Sequence, residues 1–206
     1  MPADTEILAR YLPQPAINAV YEGLKNGNIR LTVSRSRKSK LGDFRPGAAG
    51  KSHRISVNGD LNPFHFLIVF VHEQAHALVY DRYGNKVMPH GQEWKEAYRI
   101  LMQPYLEQHI FPDDISRSLK NYLLNAKAIN GTDLALTRIL ARYDTHKAPG
   151  TELESLPEGS LFRASSGRVF KKLDRRRKRF KCLCMSTGRL YLFNPVARVE
   201  MLDAND

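Results

Sequence analysis

Cysteine is nearly missing from this chain: Cys182 and Cys184 are the only two in 206 residues. That count gives no sign of a disulfide framework. Two thiolates also cannot close a tetrahedral structural metal site without other ligands, and no histidine follows His146 to supply them. Long apolar runs are missing too. Hydrophobic residues make up 42% of the composition, which suits a globular protein, but no run reaches the roughly 18–20 residues that span a bilayer. The start, Met1-Pro2-Ala3-Asp4-Thr5-Glu6, has no basic stretch followed by an apolar one, so no secretory signal is expected. These absences point to a cytoplasmic setting without a membrane partner. Acidic residues are in deficit: 21 Asp and Glu stand against 32 Lys and Arg, a net charge of +11. Such an excess favours nucleic acid or another polyanion as partner.

The positive charge is clustered. One group holds Arg30, Arg35, Arg37, Lys38, Lys40, Arg45, Lys51 and Arg54, opposed only by Asp43. The other is Lys171-Lys172-Leu173-Asp174-Arg175-Arg176-Arg177-Lys178-Arg179-Phe180-Lys181. Density of this kind reads as phosphate contact, with Arg35, Arg37, Lys38, Lys40 and Arg175 to Arg179 as the candidate nucleic-acid residues. The plain alternative is a solvated basic surface. Phe44, Phe170 and Phe180 lie among these charges and could stack on unpaired bases, or simply belong to the core.

Periodicity gives the organisation. Residues 4–25 read as helical, interrupted by Pro13 and Pro15. Residues 29–35 and 53–57 alternate as strands around a polar, Gly/Pro-containing stretch, and are expected to form a hairpin ahead of the most apolar segment. That segment, from Phe64 to Tyr80, is expected to be a buried helix capped by Asn62, begun by Pro63 and closed by Gly84. A further helix-like stretch covers 91–102. Helices over 113–127 and 132–143 follow, with Asp113 or Asp114 and Thr132 or Asp133 as caps and Asn130-Gly131 between them. A helical hairpin is the simpler reading of that pair than a DNA-reading helix-turn-helix. Beyond Lys147-Ala148-Pro149-Gly150 the chain turns to short apolar alternations between Gly- and Pro-containing turns, a small antiparallel β module. The expected class is α+β, with one domain over 1–147 and a basic β module over 148–206.

Inside the apolar helix stands His72-Glu73-Gln74-Ala75-His76. Residues four apart share a helix face one turn apart, so the two imidazoles can converge on one metal ion. Glu73 then lies beside a metal-bound water, as in zinc hydrolases. Burying two imidazoles and a carboxylate without partners is costly, and a metal is one good partner. The other is a core helix whose histidines are satisfied by neighbours.

A catalytic zinc takes a third protein ligand. The metzincin spacing requires Gly at 79 and His at 82, where the chain has Val79 and Arg82. Glu93 and Glu96 keep a glutamate ligand open, and His90 is the better candidate, placed after a turn and at a helix start. The set His72-Glu73-x-x-His76, a gap, then His90-Gly91-x-x-Trp94 resembles the SprT-like zinc metalloproteases, which include the Spartan DNA–protein crosslink proteases. Leu61-Asn62-Pro63 before the motif and Lys95 after Trp94 fit as well. The resemblance covers about residues 1–110. It implies a zincin-like domain, Zn2+ on His72, His76 and His90, Glu73 as the catalytic residue, and substrates that are proteins held on DNA, single-stranded DNA included. Glu93 and Glu96 would then be helix-surface residues. Many members end in a four-cysteine zinc ribbon, which is absent or replaced here.

Two functions from different classes follow. The first is a zinc-dependent endopeptidase acting near nucleic acid, in which Tyr98 or a residue of the 40–54 loop stabilises the oxyanion and Trp94 packs against the helix. The second is a non-catalytic nucleic-acid-binding protein with a structural zinc site. A hydrolase of another bond, such as an amide, is a weaker third.

Overall fold

The computed structural model describes residues 3–37, 40–48, 50–124, 133–145 and 150–202. The chain divides into two compact units, Met1–Thr145 and His146–Asp206. Both belong to an α+β protein. Among the described residues no helix is long and apolar enough to cross a membrane.

The first unit opens with α1 (Ala3–Leu8), a 3-10 turn at Gln14–Ala16 and α2 (Ile17–Asn26). Pro13 and Pro15 impose the break, because neither ring nitrogen can donate within a helix. Strands β1 (Ile29–Ser34), β2 (Gly42–Arg45) and β3 (His53–Asn58) form a sheet in the order β1-β3-β2. Here the hairpin expectation is corrected. β1 and β3 run parallel, from Ile29 opposite His53 to Ser34 opposite Asn58. The hairpin partner of β3 is β2, antiparallel to it with Gly42 opposite Val57 and Phe44 opposite Ile55. The physical reason is that the connection between β1 and β3 itself contributes a strand. β2 takes the open edge of β3 and leaves its other edge to β1. Ile55 and Val57, in the central strand, are completely buried.

Helix α3 (Pro63–Tyr83) is apolar around most of its circumference and runs through the core, with Phe66, Leu67, Phe70 and Val71 fully buried. Its ends are fixed by the residues expected. Asn62 Oδ1 accepts the His65 N–H at 2.9 Å, Pro63 starts the first turn, and Gly84 at φ +59 closes the helix with its N–H on Tyr80 O. Asn62 does a second job: its Nδ2 donates to Leu140 O at 2.9 Å and to Asp144 Oδ1 at 2.7 Å. α3 packs on β2, β3 and α4 (Gln92–Glu107), which continues through Pro104. α5 (Asp113–Leu124) and α6 (Leu134–Ala141) pack together and bury Leu119, Leu123, Leu136 and Leu140 in the same core. Asp133 caps α6 by accepting the Leu136 N–H. Residues 125–127, Asn130-Gly131, Thr132 and the Lys147–Pro149 stretch lie outside the described residues.

The second unit is an antiparallel sheet in the order β4-β9-β5-β6-β7-β8. Its strands are β4 (Thr151–Glu152), β5 (Leu161–Arg163), β6 (Val169–Arg176), β7 (Arg179–Cys184), β8 (Leu190–Phe193) and β9 (Arg198–Leu202). Leu153, Leu156, Phe162, Phe170, Cys182, Cys184 and Val199 make its core. Cys182 is thus a small apolar filler, while Cys184 Sγ lies 3.4 Å from Ser186 Oγ. β6 runs further than the sequence alternation at 168–170 suggests, because Lys171, Lys172, Arg175 and Arg176 also pair with β7, across an irregularity between Lys172 and Arg175.

Candidate metal centre

Helix α3 places His72 and His76 one turn apart, with ring centroids 5.1 Å apart. The third imidazole comes from the turn ahead of α4. His90 adopts a left-handed backbone, φ +58, unusual for a residue with a side chain. The turn is closed by Gly91 N–H on Met88 O. That conformation aims the ring back at α3: His90 Nε2 lies 3.1 Å from His72 Nε2 and 3.1 Å from His76 Nε2.

A neutral imidazole carries one N–H, so His90 Nε2 cannot donate to both neighbours. Three ring nitrogens gathered this closely form a ready donor set for a cation. Metal–nitrogen bonds of about 2.0–2.1 Å in a tetrahedral site separate the ligand atoms by about 3.3 Å, close to what is seen. Among the described residues these three form the only group of His, Cys, Asp or Glu that could hold a metal ion, and neither Glu93 nor Glu96 joins it. Burial keeps the rings uncharged. It pushes His72 down to about 3 and His76 to about 4, with the neighbouring histidines adding to the effect, and it lowers His90 as well. Neutral nitrogens with free lone pairs are what a metal needs.

Trp94, on the first turn of α4, backs the site. It is 1% exposed, and its ring lies 4.5, 5.3 and 4.7 Å from those of His72, His76 and His90. Tyr98 stacks behind it at 5.0 Å and is equally buried. The Trp94 Nε1–H finds no acceptor among the described residues.

Glu73 is 8% exposed and lies under β2. Gly42 makes the room: a Cβ there would stand 2.5 Å from Glu73 Oε1. Burial raises the carboxyl to about 7, and Asp43 adds to the rise. Arg37, Lys40 and a hydrogen bond from the Phe44 backbone pull the other way. A carboxyl poised near neutrality can both take and give a proton. Gly42 and this ring of charges were missed by sequence reasoning. The available signal was a glycine beside an acid and an aromatic residue in a basic stretch, which is too common to single out.

The basic candidates have separate fates. Arg37 is spent on the fold: its Nε donates to Asn58 Oδ1 at 2.8 Å and its Nη1 to Ser56 Oγ at 3.0 Å, while Nη2 reaches the Leu41 and Ser56 carbonyls. Lys40 and Arg45 both pair with Asp43, at 2.7 and 2.9 Å. Arg35 is exposed, and Lys38 lies outside the described residues. In the second unit Arg175, Arg176, Arg177, Lys178 and Arg179 are all exposed at the tip of the β6–β7 hairpin, where Arg177 turns through φ +54. Lys172 is instead buried, bonded to the Glu154 and Leu156 carbonyls and seated 4.1 Å from the Phe180 ring centroid. Phe170 is a core residue, and Phe44 and Phe180 are half-buried.

Comparison with protein-family models, with curated proteins and with solved structures gives no match to this chain.

Proposed function

We propose that this chain is a zinc-dependent metalloendopeptidase of SprT-like type that cuts proteins associated with nucleic acid. The observation that carries the reading is the convergence of the His72, His76 and His90 nitrogens beside a buried glutamate whose carboxyl sits near neutrality. His72, His76 and His90 would hold the ion. An ion held there would supply a Lewis acid able to acidify water and polarise a peptide carbonyl. Glu73 accepts the proton from the attacking water on a carboxylate oxygen and passes it to the leaving amine. Trp94 and Tyr98 fix the rings from behind and exclude water on that side.

The second reading is a nucleic-acid-binding protein whose zinc is structural. The exposed basic tip of the β6–β7 hairpin favours binding to a polyanion under either reading. A set of three ligands favours the first, since structural zinc sites are closed by four. Glu73→Gln separates them. Under the peptidase reading the variant keeps zinc and nucleic acid and loses hydrolysis. If wild type and variant bind both and neither cuts, the binding-protein reading stands.

A further inference from the structure

Beside the three histidines lies a cavity of about 300 Å3. His76, His90 and Trp94 form one wall, β2 supplies Phe44, α3 supplies Val79, and the turn after α3 supplies Val87. Among the described residues no Asp, Glu, Lys or Arg lines it. We infer that this cavity receives a single apolar side chain of the substrate polypeptide, next to the bond that is cut, and so sets cleavage preference. The inference rests on the peptidase reading.

Three features argue for it. The first is position. Two of the three candidate metal ligands line the cavity, so an occupant is within one residue of the reacting carbonyl. The second is chemistry. A cationic side chain entering here would shed its hydration and face only the ion's own positive charge, whereas an aliphatic or aromatic one gains by leaving water. The third is size. Cavities that hold whole ligands run from about 300 to 1,000 Å3, and this one is at the lower end, suited to one large side chain. The walls are also held in place. His53 accepts the Gly47 N–H on Nδ1 at 3.0 Å, which leaves Nε2 to donate to Asp81 Oδ1 at 2.8 Å. Its ring packs against Phe44 and Tyr80, tying β2 to α3. At the mouth, Met88 is 75% exposed, an adaptable thioether that can close over different shapes.

Trp94 is the only tryptophan in the chain and lines the cavity, so its fluorescence reports occupancy. The experiment titrates zinc-loaded Glu73→Gln, which leaves peptides uncut, with hexapeptides differing at one position: Leu, Phe, Gln or Lys. The expected result is a change in Trp94 emission with Leu and Phe, and binding at least about tenfold tighter than with Gln or Lys, as filling an apolar pocket gives. Adding Val79→Phe, which fills the cavity, should abolish the change. Val87→Glu, on the turn, should shift preference towards Lys, a gain that misfolding cannot produce. Equal affinities for all four peptides with unaltered emission would overturn the inference, even if wild type cuts. An apolar preference in binding, with no cutting by wild type, would leave the cavity as a binding pocket and sink the peptidase reading, and with it the role in cleavage preference.

Discussion

Glu73 is the residue on which most depends, and its ionisation can be followed through stability. Its carboxyl rises from 4.5 to about 7 on folding in the metal-free protein, chiefly by burial. A raised carboxyl favours the protonated folded form. Its contribution is fully present below pH 4.5 and is lost as pH rises through about 7. The side chain in Glu73→Gln does not titrate, so the difference between the two proteins isolates this group. Urea unfolding of both metal-free proteins from pH 5.5 to 8.5 should show wild type losing about 2 kcal/mol relative to the variant across that range. A difference flat with pH would mean that Glu73 is not held in an apolar setting. Gly42 is tested separately. Gly42→Ala forces its Cβ against Glu73 Oε1, so hydrolysis should fall by about a hundredfold while zinc stays bound. Unchanged activity would show that the carboxylate does not depend on that cradle.

At the scale of elements, α3 carries Glu73 and two of the three candidate metal ligands, and Asn62 fixes it at one end. Asn62→Ala removes a cap, worth about 1 kcal/mol, and strips a buried donor from the Leu140 carbonyl and Asp144, worth about 1–2 kcal/mol more. Urea unfolding should show a loss of about 2–3 kcal/mol with an unchanged slope; a loss under about 0.5 kcal/mol would deny the second role. The cap itself was legible in the sequence, as were Pro63, Gly84 and the spacing of His72 and His76, because local chemistry sets each of them. The link from Asn62 to α6 was not, since nothing local joins residue 62 to residue 140. β2 was missed for a different reason. Its sequence, Gly42-Asp43-Phe44-Arg45, is too short to show alternation and is polar by composition; pairing with β3 makes it a strand. The same applies to Lys171 to Arg176, whose charges mask an extension of β6 that β7 completes. The place of His90 after a turn marks it as a ligand candidate, but its left-handed backbone, which aims the ring, has no signature at a non-glycine residue.

Over the whole molecule, a charge of +11 separates into cations that serve the fold and cations that face solvent. Sequence shows the density of Arg30 to Arg54 and of Lys171 to Lys181 but not this division. Arg37 and Lys172 are internal donors, and Lys40 and Arg45 are paired. The hairpin tip, Arg175 to Arg179, keeps five cations exposed together. Replacing those five with Gln should weaken single-stranded DNA binding and flatten its salt dependence, by about 0.7 in the log–log slope for each phosphate that is no longer neutralised. Arg37→Gln should instead lower stability and leave that slope unchanged. An intact slope after the tip substitutions would show that the hairpin tip is not a nucleic-acid contact. The central claim is tested most directly by incubating the zinc-loaded protein with a basic DNA-binding protein, with and without single-stranded DNA, beside Glu73→Gln. Cleavage that DNA stimulates and the variant abolishes is the result expected; full zinc and DNA occupancy with no cleavage by either form would contradict it.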